Sequence, residues 1–234
     1  MRKEEEPLQC RGCFNEPDSI FHYLTPEEKE LLDSRTLPRK FKKGETLYHE
    51  GRRINGIYCV YNGIVKIFKT GPDGKEQILM FARHGDIIGY RSVLANELAC
   101  TTAKMIEDGA LCFIPAEVLL DLVKHNSAFS YEITKLACKE LGNANQYITD
   151  LAQKSVRERL AEVLLHLADK FGISEENYLR IVLTREELAN IVGTATESVI
   201  RLLSDFKNNG LIELKGRKIR ILDKEGLKHI SNAF

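Results

Sequence analysis

The sequence predicts an α+β chain: an N-terminal jelly-roll β-domain, a long helix and a C-terminal winged helix-turn-helix. Three observations carry that reading. Between Phe41 and Pro115, short apolar and β-branched runs are cut repeatedly by glycines. From Ala116 the apolar spacing lengthens to three or four residues. Beyond Ser155, capping residues and glycines punctuate short helices and a hairpin.

The bulk properties bound the alternatives. At 234 residues, 43% hydrophobic and 29% charged, the chain holds enough apolar material for a real core, which excludes wholesale disorder. Lys+Arg and Asp+Glu are both 34, so a protein that coats nucleic acid by bulk charge is excluded. Any DNA binding must come from a local surface. No apolar run reaches the ~18 residues of a membrane span, so no membrane partner is expected. The charged start Met1-Arg-Lys-Glu-Glu-Glu-Pro7 lacks the apolar stretch of a secretion signal. The six scattered cysteines suit a reducing, cytoplasmic compartment. Charge is uneven along the chain: Thr194 to Phe234 holds 8 basic and 5 acidic residues, a net of +3.

In the β-domain the strand candidates are Ile57-Tyr-Cys-Val-Tyr61, Ile64-Val-Lys-Ile-Phe68 and Gln77-Ile-Leu-Met-Phe81. Pro72-Asp-Gly74 is a turn, because Pro presets φ and Gly accepts a positive one. The helical stripe is Phe129, Ile133, Leu136, Leu141, Ala144, Ile148 and Leu151, close to heptad spacing. It is longer than a small β-domain needs, and the expectation is that it pairs with its copy in a second chain. Arg157 to Phe171 is an amphipathic helix stopped at Gly172. Thr184-Arg-Glu-Glu187 fits a capping box and opens a helix that ends at Gly193. A second helix follows, about Thr196 to Asn208. Two helices with a short glycine-containing turn make a helix-turn-helix. Leu211-Ile-Glu-Leu214 and Lys218-Ile-Arg-Ile-Leu222 flank Lys215-Gly-Arg217, a hairpin with a basic tip. The expected organisation is a Cys-containing tail over 1–19, a β-roll effector domain over 20–115, a dimerisation helix and hinge over 116–154, and a winged helix-turn-helix over 155–234.

The second helix of such a unit can lie in the major groove. Its candidate base-reading residues are Thr196, Glu197, Ile200 and Arg201. Arg donates two hydrogen bonds to guanine, Glu accepts one from cytosine, and Ile suits a thymine methyl. Glu197 and Arg201 are four apart, so they share a face and are placed to brace each other. Thr184, Lys215, Arg217 and Lys218 are candidate phosphate contacts.

Gly74-Lys-Glu-Gln-Ile-Leu79, Gly85-Asp-Ile-Ile-Gly89, the long helix, Thr184-Arg-Glu-Glu-Leu-Ala189 and Glu197-Ser-Val-Ile-Arg-Leu-Leu203 occur in that order. From about Ile20 onward the chain resembles the bacterial CRP/FNR family of transcription regulators. The resemblance implies a homodimer that binds a palindromic operator as double-stranded DNA, with RNA polymerase as a further partner and no enzymatic activity. It matches Glu197 and Arg201 to the Glu and Arg of the family's recognition helix. The alternative is a cyclic-nucleotide-like ligand-binding module without DNA binding.

The resemblance also offers two templates for the signal, and the cofactor stays unassigned between them. Relatives that bind a cyclic nucleotide carry a Gly-Glu pair and, about ten residues on, an Arg-Ser pair. Here the effector-pocket candidates are Gly89, Tyr90, Arg91, Thr101 and Thr102. Tyr90 replaces the Glu and Cys100-Thr101-Thr102 replaces Arg-Ser, which argues against cyclic AMP. FNR-type sensors hold an iron–sulfur cluster with N-terminal cysteines and one internal cysteine. Cys10, Cys13 and Cys112 match three such positions, and Asp18-Ser19 falls about where a further cysteine would stand. An iron–sulfur cluster, thiol redox chemistry or zinc with other ligands, and no metal at all are the open alternatives. Cys59 and Cys138 read as small apolar residues.

Overall fold

A computed structural model describes Phe14 and residues 19–231. The described residues divide into two compact units, one of Phe14, 19–69 and 79–141, the other of 70–78 and 142–231.

The first unit opens with a 3-10 turn, Ile20–Tyr23, and helix α1, Pro26–Arg35, which starts on a capping box between Thr25 and Glu28. The strands follow as β1 (Leu37–Phe41), β2 (Thr46–Tyr48), β3 (Gly56–Asn62), β4 (Val65–Thr70), β5 (Glu76–Ala82) and β6 (Ile87–Ile88). Helix α2 (Tyr90–Leu94) precedes β7 (Thr102–Met105) and β8 (Gly109–Pro115). Two four-stranded sheets result, in the orders β1-β8-β3-β6 and β2-β7-β4-β5. Non-sequential neighbours in both sheets are the jelly-roll arrangement that the glycine-punctuated strands predict. One apolar cluster lies between the sheets, around Val60, Val65, Ile67, Met105 and Leu111. A second gathers Phe14, Phe21, Leu32, Ile57, Cys59, Cys112, Ile114, Leu119 and Phe129.

The long helical region differs from the single run expected from Ala116. Helix α3 (Ala116–His125) and helix α4 (Ser127–Gln153) are separated by Asn126. The Asn126 Oδ1 accepts a hydrogen bond from the Phe129 N–H at 2.9 Å. Its amide donates to the Tyr23 carbonyl at 3.2 Å and the Glu28 carboxylate at 2.7 Å. The side chain therefore replaces a helical turn with a cap. The stripe on α4 also divides. Phe129 and Ile133 are buried in the unit's own core, with Leu136 packed against it. Leu141 and Ile148 are 62% and 63% exposed.

In the second unit, helix α5 (Val156–Phe171) runs from the cap Ser155 to Gly172. Ser155 Oγ accepts from the Glu158 N–H, and Glu158 accepts from the Ser155 N–H at 2.7 Å. Ser155→Ala should therefore lower unfolding stability by about 1 kcal/mol, measured by urea denaturation; an unchanged midpoint would count against the cap. Helix α6 (Arg185–Val192) and helix α7 (Thr196–Asn208) are joined through Gly193, whose φ of 73° is left-handed. Strands β9 (Ile212–Lys215) and β10 (Lys218–Ile221) form the hairpin, and helix α8 (Lys224–Ser231) closes the described chain.

Candidate nucleic-acid interface and effector region

The turn of the helix-turn-helix is fixed from both sides. Thr184 caps α6 through the Glu187 N–H and donates its own hydroxyl to the Glu187 carboxylate at 2.9 Å. That commitment leaves Thr184 a weaker phosphate contact than its sequence position suggests. Arg159 on α5 donates to the Val192 carbonyl at 3.0 Å and the Gly193 carbonyl at 3.3 Å. It thereby holds the last carbonyls of α6, where a cation also suits the helix dipole. Gln77 donates to the Tyr147 hydroxyl at 2.8 Å and to the Asn190 carbonyl, and the Lys75 ammonium reaches the Thr194 carbonyl at 3.0 Å. Sequence reasoning missed these positioning residues, because each acts through a backbone carbonyl distant in the chain.

Helix α7 buries Val199, Leu203 and Phe206 and turns the opposite face outward. Glu197 and Arg201 are exposed there, with Ile200 49% exposed between them. Thr196 is half-buried at the helix start. The expected Glu197–Arg201 brace is not formed. Neither side chain has a hydrogen bond or ion pair among the described residues. Both present unspent polar groups to a partner. The first-turn N–H groups of α7 also lack a side-chain cap, since Ala195 occupies that place.

The wing supplies cations. Lys215, Arg217 and Lys218 are exposed at its tip and have no ion pair among the described residues. The tip is tied back to the helix-turn-helix by Arg185, which donates to the Gly216 carbonyl at 3.0 Å. Gly216 has a φ of 61°, which suits the first position of a two-residue hairpin loop. Lys218→Ala should weaken binding to specific and random duplexes alike and reduce the salt slope by about one. A salt titration checks this, and a sequence-selective loss would place Lys218 at a base.

In the first unit the effector-pocket candidates lie around α2 and the start of β7. Gly89 takes a φ of 85° before α2, Tyr90 is buried, and Arg91 is exposed. Thr102 is buried, and its hydroxyl accepts from the Glu50 N–H at 3.0 Å. Thr101 hydrogen-bonds the Tyr48 hydroxyl, whose pKa burial pushes up to about 12. The Glu140 carboxylate of α4 faces the Tyr90 hydroxyl. Burial first, and then that carboxylate, raise the Tyr90 pKa far above the phenol range. A cyclic nucleotide needs a cation beside its phosphate. In this region a buried phenol faces a carboxylate, and Arg91, the cation among these candidates, is exposed.

Cys112 on β8 is buried and disulfide-bonded. Cys10 and Cys13, and Asp18 with them, lie outside the described residues. Among the described residues no group of three His, Cys, Asp or Glu side chains could hold a metal ion. No described helix is long and apolar enough to cross a membrane.

Comparison with known proteins agrees with the geometry. Residues 38–126 match the cyclic nucleotide-binding domain, and residues 158–230 match the Crp-like helix-turn-helix domain. The transcriptional activator protein FnrA of Stutzerimonas stutzeri is 31% identical over 96% of this chain and 93% of its own length. The CRP-like cAMP-activated global transcriptional regulator of Mycobacterium tuberculosis is 30% identical over 89% of this chain and 94% of its own. Among solved structures, FixK2 of Bradyrhizobium japonicum superposes with a TM-score of 0.77 at 22% identity, over 85% of this chain and 98% of that one. That last likeness shares the fold.

Proposed function

Since the chain belongs to the CRP/FNR family of transcription regulators, we propose that it binds a palindromic operator as a homodimer and answers a thiol-borne signal rather than a cyclic nucleotide. It is a DNA-binding regulator and not an enzyme. In this reading 20–115 is the effector domain, 116–154 joins it to its copy, and 155–234 binds DNA. Glu197, Ile200 and Arg201 read base edges, with Thr196 beside them at the helix start. Lys215, Arg217 and Lys218 engage phosphates, with a minor contribution from Thr184. Cys10, Cys13 and Cys112 receive the signal, as an iron–sulfur or other metal centre or as thiols.

The observation that carries the DNA reading is the exposed Glu197–Ile200–Arg201 face beside a basic wing, both unpaired among the described residues. Phosphate contacts set register, and the helix face supplies sequence information. Selection from random duplexes should return a palindrome with half-site centres about one helical turn, roughly 10 base pairs, apart. A non-palindromic or sequence-independent pool would remove the operator reading and favour a ligand-binding module without DNA recognition.

The signal reading is supported by Cys112 and by the buried Tyr90 phenol beside the Glu140 carboxylate in the nucleotide region. A change at the thiols would alter the spacing of two recognition helices through the break between α4 and α5, near Gln153–Ser155. Half-sites at fixed spacing tolerate little error, so a small rotation is enough to switch binding. Operator affinity that is equal for reduced, oxidised and metal-loaded protein would rule this switch out.

A further inference from the structure

We propose that Lys75 and Gln77, on the hairpin of β4 and β5, are positioning residues that set the sequence specificity of α7. They hold backbone carbonyls of the turn before α7 and so fix the angle at which that helix enters the major groove. The inference rests on the reading that α7 reads base edges.

Every carbonyl from Asn190 to Thr194 accepts a hydrogen bond from a side chain. Gln77 Nε2 donates to the Asn190 carbonyl, and the Tyr147 hydroxyl donates to that of Ile191 at 3.3 Å. Arg159 takes those of Val192 and Gly193, and Lys75 Nζ takes that of Thr194 at 3.0 Å. A helix leaves its last carbonyls without partners of its own. Of these donors only Arg159 belongs to 155–234; Lys75, Gln77 and Tyr147 come from outside it. Residues 70–78 nonetheless fall in the same compact unit as the helix-turn-helix. The turn is also approached closely. Gly193 has a φ of 73°, and a Cβ there would lie 2.9 Å from Leu151 Cδ2 and 3.5 Å from the Tyr147 hydroxyl. Because α7 has no side-chain cap, the turn carries its orientation.

Gln77 is the joint of this array. Its Nε2 also donates to the Tyr147 hydroxyl at 2.8 Å, which leaves the phenol proton for the Ile191 carbonyl. In Gln77→Glu the shape is kept, but the carboxylate only accepts. It repels the Asn190 carbonyl and draws the Tyr147 proton to itself, so one isosteric change breaks both carbonyl bonds. Lys75, exposed at the hairpin tip, holds the carbonyl nearest to α7. Non-specific binding depends on phosphate contacts and tolerates a loose helix, whereas base reading needs a fixed one. Loss of these bonds should therefore lower specific affinity alone.

The test uses the full-length protein and two probes: the duplex that the wild type selects from a random pool, and a random-sequence duplex of equal length. The ratio of the two affinities should fall about tenfold in Lys75→Ala and in Gln77→Glu, the worth of one or two hydrogen bonds. Lys75→Arg, which keeps a cationic donor, should retain most of the ratio. Random-duplex affinity and the salt slope should stay at wild-type values. Amide exchange at Gly193 and Thr194, whose N–H groups bond the Ala189 carbonyl, should quicken in the two weakened variants. Lys75 is exposed and Gln77 half-buried, so circular dichroism should show the fold intact. A lowered salt slope in Lys75→Ala would make Lys75 a phosphate contact and overturn its positioning role. An unchanged ratio in both variants, with Arg201→Ala still lowering it, would overturn the inference and leave α7 as the reading helix. An unchanged ratio in Arg201→Ala as well would remove base reading from α7, and the inference with it.

Discussion

Arg201→Ala should cost about 1–3 kcal/mol at the cognate operator, a loss of roughly 5–150-fold in affinity, and relax sequence preference at one base pair per half-site. Arg201 is exposed on α7 and has no partner among the described residues. Its full donor capacity is therefore available to a guanine edge, and its removal breaks no polar contact among the described residues. The fold should survive, because α7 is anchored from its other face by Val199, Leu203 and Phe206. Glu197, one turn earlier, should behave differently: its loss should relax preference for a cytosine without reducing the salt slope. The measurement is a titration against operators changed one base pair at a time. Equal losses on every duplex, random DNA included, would move Arg201 from base reading to phosphate contact.

The winged helix was readable in advance because its signals are local. Thr184 and Glu187 are three residues apart and cap each other, and Gly193 and Gly216 stand where the backbone turns to positive φ. What escaped the sequence depends on distant partners. Asn126 interrupts the helical run because it finds Tyr23 and Glu28 about a hundred residues earlier. Nothing in the spacing around it signals a cap. The apolar stripe could not be divided by periodicity, since Phe129 and Ile148 satisfy the same repeat. Only the β-domain's second core cluster, which takes up Phe129 and Ile133, separates them. The opposition of Glu140 and Tyr90 depends on where α4 passes α2, which no short motif encodes.

That division of the stripe leads to the largest expected effect, from Ile148→Glu. Leu141 and Ile148 are seven residues apart, apolar and largely exposed. Those at Phe129 and Ile133 already have a core to fill. Two copies of α4 related by a two-fold axis would bring Ile148 near its equivalent and cover both faces. A glutamate there sets two like charges against each other at a desolvated seam, whereas in the monomer it points into water. The substitution should therefore halve the mass in light scattering while leaving the monomer's circular dichroism unchanged. Operator affinity should fall on the order of a thousandfold, towards the non-specific level. The second recognition helix would no longer be held at the second half-site, and its effective concentration there would vanish. Single half-site affinity should be preserved, which separates this loss from that of Arg201→Ala. An unchanged mass would place the exposed part of α4 against some other surface, and palindromic recognition would then need a different source of symmetry.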